Sequence, residues 1–120
     1  MHPRRQARFN ELVTQTVSRL IPTLKDPELG FITITGAEVS PDVSVARIFF
    51  SVLGTDEEKE GTKKALERAK PYIRHELASL ENMRKVPQLV FVFDRGVENA
   101  DRVNRILHAL EHEKDNADSH

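Results

Sequence analysis

The sequence predicts an α+β fold in a single domain. Three observations carry this: a length of 120 residues, amphipathic stripes at helical spacing, and β-branched or aromatic runs of strand length. Hydrophobic residues make up 38% of the chain and charged residues 31%, which suits one modest core beneath an ionic surface.

The first element is a helix. Phe9, Leu12, Val13, Thr16, Val17, Leu20 and Ile21 recur at i, i+3, i+4 and i+7, while Arg4, Arg8, Gln15 and Arg19 share the flank beside them. Pro22 and then Lys25-Asp26-Pro27 end it, because proline lacks an N–H and disfavours helical geometry before it. Ile32 to Thr35 alternates β-branched residues and reads as a strand. Ser40-Pro41-Asp42 is a turn signal. Ala46, Ile48, Phe50 and Val52 then alternate with Arg47 and Ser51, so a second half-buried strand completes an antiparallel hairpin.

Thr55 with Glu58 three residues on is a capping-box signature, and Asp56 and Glu57 suit the positive end of the helix that follows. Its stripe runs through Leu66, Ala69, Ile73, Leu77 and Leu80, with Pro71 in the middle. Pro71 removes one backbone bond and crowds the Glu67 carbonyl, at a cost of about 3 kcal/mol in an unbroken helix. Two helices are therefore expected, with a break near Arg68–Lys70 and Pro71 opening the second. Leu89 to Phe93 is a continuous β-type run, expected to be a central strand. Val103, Ile106, Leu107 and Leu110 predict a last helix, and the polar end from His112 is expected to fray. The expected order is α-β-β-α-kink-α-β-α, a domain over 4–112 and a polar tail over 113–120.

Several function classes are excluded by composition. With no Cys there is no disulfide, thiolate zinc site or cysteine nucleophile. Five scattered glycines provide no phosphate-cradling loop. No run approaches the roughly 20 apolar residues that span a bilayer, and the basic N-terminal stretch lacks an apolar signal core, so a cytoplasmic location without a membrane partner is expected. His108 and His112 share one helix face, yet they lack a third ligand and the HExxH order; His2 and His75 stand alone. Asp26 and Glu28 around Pro27 read as turn-capping or solvated groups, and no serine has an activating neighbour. Neither catalysis, a metal nor a cofactor is expected.

Charge is segregated although it sums to −1. Residues 1–25 carry five positive charges against one negative, residues 26–61 two against eight, 62–86 seven against three, and 87–120 four against seven. Two basic stretches are thus separated by acidic ones. Packed side by side they would present about eight net positive charges to a polyanion, which responds to the field within a Debye length, roughly 8 Å at physiological salt. The alternative is that these charges only solvate helix faces. Lys63, Lys70 and Arg74 fall on one flank at helical spacing, and Tyr72 follows Pro71. A helix opening at Pro71 would offer unpaired N–H groups to a phosphate, with Lys70, Arg74 and a stacking Tyr72 around it. Arg84 and Lys85 are secondary phosphate candidates, or neutralise the helix C-terminus.

The stretches Leu24-Lys25-Asp26-Pro27-Glu28-Leu29-Gly30, Ile32-Thr33-Ile34-Thr35, Val39-Ser40-Pro41-Asp42, Ala46-Arg47-Ile48, Tyr72-Ile73-Arg74-His75-Glu76-Leu77-Ala78, Arg84 and Pro87-Gln88-Leu89, leading into Phe91 and Asp94, occur in a specific order and spacing. In these the chain resembles the ribosome-binding factor A family, over about Arg5 to Leu110. The resemblance implies a type II KH-like domain, with a three-stranded sheet packed on helices and an interrupted helix carrying an Ala-x-Gly kink. This chain has Ala69-Lys70-Pro71 at the kink; proline offers no N–H to a phosphate, which shifts weight from a backbone clamp to Lys70 and Arg74.

The resemblance further implies a monomeric, non-catalytic assembly factor. It would bind the free small (30S) ribosomal subunit and 16S rRNA, promote late maturation and processing of the rRNA 5′ end, act in cold adaptation, and have assembly GTPases as functional neighbours. The RNA-binding residues expected are Arg4, Arg5, Arg8, Arg19, Lys63, Lys64, Arg68, Lys70, Tyr72, Arg74, Arg84 and Lys85. A second reading is a module that docks on a ribosomal protein or assembly GTPase without touching RNA, its basic residues serving as rim charges.

Overall fold

A computed structural model describes residues 3–94, with side chains from Arg4. Helix α1 spans Pro3–Leu20 and runs into a 3-10 turn at Ile21–Thr23. Strands β1 (Phe31–Val39) and β2 (Val45–Leu53) follow, then helix α2 (Asp56–Leu80) and strand β3 (Gln88–Phe93). The expected last helix, the His108–His112 pair and the tail 113–120 lie outside the described residues.

The sheet order is β1-β2-β3. Strands β1 and β2 form the expected antiparallel hairpin, with a register shift between Ile34 and Gly36. Its turn is tied by Ser40, whose Oγ accepts from the N–H of Ser44 and of Val45, each at 3.0 Å. Strand β3 pairs parallel to β2, Val45 opposite Gln88 and Phe50 opposite Phe93. Among the described residues β3 therefore lies at an edge, and the expected central position belongs to β2. The apolar run of β3 reflects its two faces: Leu89 and Phe91 enter the core, and Val90 points to the uncovered face.

Both helices lie on one face of this sheet. One cluster joins Val13, Val17, Leu20 and Ile21 to Ala46, Ile48, Phe50 and Val52, and to Leu66, Ile73 and Leu77 of α2. Phe50 packs against Phe91, edge-on at 6.3 Å, and Phe93, at 4.5 Å between ring centroids. The β2 alternation is buried as its pattern predicts.

Helix α2 corrects one expectation. It is continuous over 25 residues with Pro71 inside it, so there is no break at Arg68–Lys70 and no helix start at Pro71. The magnitudes explain why. The proline costs about 3 kcal/mol, whereas burying Ile73 and Leu77 beyond it in the register of Leu66 contributes about 1.5–3 kcal/mol for each side chain. Pro71 is also exposed, so the carbonyl it leaves without a helical partner faces water. The N-terminal capping box is present: the Glu58 N–H donates to Thr55 Oγ1 at 3.1 Å, and the Thr55 N–H donates to Glu58 Oε1 at 3.2 Å.

Candidate nucleic-acid interface

Side chains on a helix advance by about 100° per residue, so the residues opposite a buried stripe can be named. In α1 the buried Val13 and Val17 leave Arg4 and Arg8 pointing outward, with Arg19 beside them. In α2 the buried Leu66 and Ile73 leave Lys64, Arg68 and His75 outward. Both buried stripes meet the same sheet face, so both outer faces look the same way. The fold thus gathers Arg4, Arg8 and Arg19 from the first basic stretch with Lys64 and Arg68 from the second.

Direct contacts fix the two helices beside each other. The buried Thr16 donates from Oγ1 to Glu81 Oε1 at 2.6 Å, just past α2, and Arg19 Nη2 lies 3.6 Å from the same oxygen. Thr23 Oγ1 and the Tyr72 hydroxyl lie 3.4 Å apart.

Other expected residues are engaged elsewhere. Lys70 and Tyr72 are two positions apart, hence on opposite flanks of a continuous helix, and they do not surround one phosphate site. Lys63, Lys70 and Arg74 do share a flank, but it faces β3 rather than α1. Arg74 donates through Nε to the Pro87 carbonyl and through Nη2 to the Val86 carbonyl, both at 3.0 Å, fastening the approach to β3. Lys63 Nζ sits 5.8 Å from the centre of the Phe93 ring. Lys70 Nζ pairs with Glu67 Oε2 at 2.6 Å. Lys85 donates to the Asp42 carbonyl at 2.9 Å and so ties the hairpin turn to the α2–β3 connection. Arg5, Arg8, Lys64 and Arg84 are exposed or half-buried and have no ion pair or side-chain hydrogen bond among the described residues.

Arg68 is held by three charged hydrogen bonds. Its Nε donates to Asp26 Oδ2 at 2.9 Å, and its Nη2 donates to Asp26 Oδ1 at 3.0 Å and Glu28 Oε1 at 2.8 Å. The Arg68 bonds, with the Glu28 N–H, hold the Asp26 carboxyl below its ordinary value; the same carboxylates raise Arg68. The Asp26–Glu28 turn is thus both capped, by Glu28 N–H to Asp26 Oδ1 at 3.0 Å, and clamped to α2. Alongside the clamp, Thr62 Oγ1 accepts the Gly30 N–H at 3.0 Å; a Cβ at Gly30 would sit 3.2 Å from that oxygen, so the close approach suits glycine.

Among the described residues no group of three or more His, Cys, Asp or Glu converges as a metal site, and no helix is long and apolar enough to cross a membrane.

The family model for ribosome-binding factor A matches residues 5–107 of the chain. The chain belongs to the ribosome-binding factor A family. It is 43% identical over 105 residues to ribosome-binding factor A of Geotalea daltonii, covering 87% of this chain and 85% of the relative. The crystal structure of ribosome-binding factor A from Thermus thermophilus superposes with a TM-score of 0.68 at 28% identity, covering 75% of this chain and 96% of the other. A second similar structure, at TM-score 0.60 and 28% identity, is the Thermus thermophilus factor as a homology model fitted into a cryo-EM map of a 30S–RbfA complex; it covers 70% of this chain and 89% of that one. Within a ribosome-binding factor A domain, then, the outward cations of α1 and α2 form the candidate interface, while Arg74 and Lys85 tie parts of the fold together and Lys70 pairs within α2.

Proposed function

We propose that the chain is a non-catalytic assembly factor that binds the free small ribosomal subunit, by contact with 16S rRNA, and promotes late subunit maturation and 5′-end processing. Family membership supports this, as does the 30S complex of the Thermus thermophilus relative. The observation that carries it is the common outer face of Arg4, Arg8 and Arg19 with Lys64 and Arg68. Phosphate contacts supply affinity and the shape of folded RNA supplies selectivity. The factor acts in the cytoplasm as a monomer, without a cofactor.

Co-sedimentation with purified free small subunits over a range of salt tests the reading. Neutralising about five phosphates gives a slope of log K against log salt near −4. The double variant Arg8→Glu, Lys64→Glu is expected to stay folded, bind more than about tenfold more weakly and flatten that slope by about two. A flat salt response, or association with whole ribosomes only, overturns the proposal. Equal binding by variant and wild type moves the interface off this face and favours docking on a protein.

A further inference from the structure

The end of the sheet nearest the start of α2 has a different character. Phe31 and Leu53 are direct cross-strand partners at the first residue of β1 and the last of β2, and each is 80% exposed. They are the two most exposed large apolar side chains among the described residues. Phe31 also walls a cleft of about 510 Å³ whose other apolar walls are Pro27 and Leu29, and whose polar walls are Glu28, Glu57 and Glu58. Asp56 and Glu57, the first two residues of α2 and three and four residues beyond Leu53, have no cationic partner among the described residues. All these groups belong to the stretch 26–61, with eight acidic residues against two basic.

We infer that this acidic, apolar pole docks a Lys/Arg-rich protein segment carried by the small subunit, with an apolar anchor of that segment against Phe31 and Leu53. The inference rests on the proposed subunit binding. Two physical reasons select the occupant. A phosphate backbone is repelled by Asp56, Glu57 and Glu58, so RNA does not suit this pole. A protein that itself coats RNA is cationic by the same electrostatics that make it bind there, and a cationic chain with apolar anchors complements carboxylates around an exposed Phe–Leu pair. Adjoining surfaces of the chain, in contact through Arg68 and Glu28, then meet the two components of one particle: cationic helices the RNA, the acidic sheet end a protein.

A photoreactive benzophenone side chain at position 31 of the full chain tests this on purified free small subunits. The expected product is an adduct with a ribosomal protein at a Lys/Arg-rich stretch, suppressed by Glu57→Lys. An adduct with rRNA, with residues 95–120 of the same chain or with a second copy overturns the inference, as does bound factor that gives no adduct. In a second measurement, Phe31→Ser with Leu53→Ser, both exposed in the wild type, is expected to weaken binding to complete subunits about tenfold and to protein-free 16S rRNA less than twofold. Equal effects on the two, or none, overturn it. Wild-type factor that fails to bind subunits at all withdraws the proposed function and this inference together, whereas normal wild-type binding with an unaffected double variant removes the inference alone.

Discussion

Arg68 and Asp26 face each other across 42 residues of sequence, guanidinium to carboxylate, with two N–H···O bonds of 2.9 and 3.0 Å. The pair joins the α1–β1 connection to the outer face of α2, and Glu28 extends it. Because it lies at the surface, its contribution to global stability is small. Its effect is local. Arg68→Ala is expected to speed hydrogen exchange at the Glu28 and Leu29 amides while barely moving the unfolding midpoint. Arg68→Lys should restore that protection only in part, since a lysine cannot grip both oxygens in one plane.

Pro71→Ala discriminates a continuous helix from a broken one. In a continuous α2 the substitution restores the bond to the Glu67 carbonyl and removes the ring collision, raising stability by up to about 3 kcal/mol in urea unfolding. Between two separate helices the same change would leave stability unaltered or lower it.

Arg74 holds the backbone carbonyls of Val86 and Pro87. Arg74→Lys is expected to lower stability by about 1–2 kcal/mol, because one of the Val86 and Pro87 carbonyls loses its charged donor. Subunit affinity, measured where the variant is fully folded, is expected to stay within about twofold of wild type.

The last turn of α2 ends on Asn82 at φ 52°, with the Met83 N–H donating to the Ala78 carbonyl at 3.1 Å. Asn82→Val should cost at least about 1–2 kcal/mol, since a β-branched side chain collides with the backbone in that conformation. Asn82→Gly should stay within about 0.5 kcal/mol of wild type by thermal unfolding.

Acid weakens the hairpin turn through Asp42. Its carboxylate accepts from Ser44 Oγ at 2.7 Å, from Ser40 Oγ at 2.8 Å and from the Ser44 N–H at 3.1 Å, and these bonds lower its pKa to about 2. A folded pKa below the unfolded value means stabilisation that is complete above the unfolded pKa, about 3.9, and is lost as pH falls toward 2. The midpoint difference between wild type and Asp42→Asn should therefore be constant near neutrality and shrink between about pH 4 and pH 2.

Helix α1, the hairpin and the capping box of α2 were legible because each is written in local periodicity or in a three-residue spacing. Pro71 misleads for a physical reason: its penalty is local and visible, while the burial of Ile73 and Leu77 that outweighs it depends on a sheet assembled from distant segments. The edge position of β3 was hidden likewise, since an apolar run does not record how many neighbours its strand has. At the candidate interface the helical repeat showed which cations point outward from each helix. It could not show that Arg68 meets Asp26 from 42 residues away, or that Arg74 turns to carbonyls 12 and 13 residues on. Phe31 had a faint signal: it lies in phase with Thr33, on the opposite face from Ile32 and Ile34, so its outward direction was written in the alternation.

The parallel seam between β2 and β3 also bears on how the chain is made. Of the described elements β3 leaves the synthesis machinery last, and until then the ring of Phe50 lacks Phe91 and Phe93 on one side. A nascent chain halted after α2 thus keeps an oily stripe and an unzipped β2 edge in water, a natural target for a chaperone. Completion of the six-residue strand β3, rather than formation of the hairpin, closes that window.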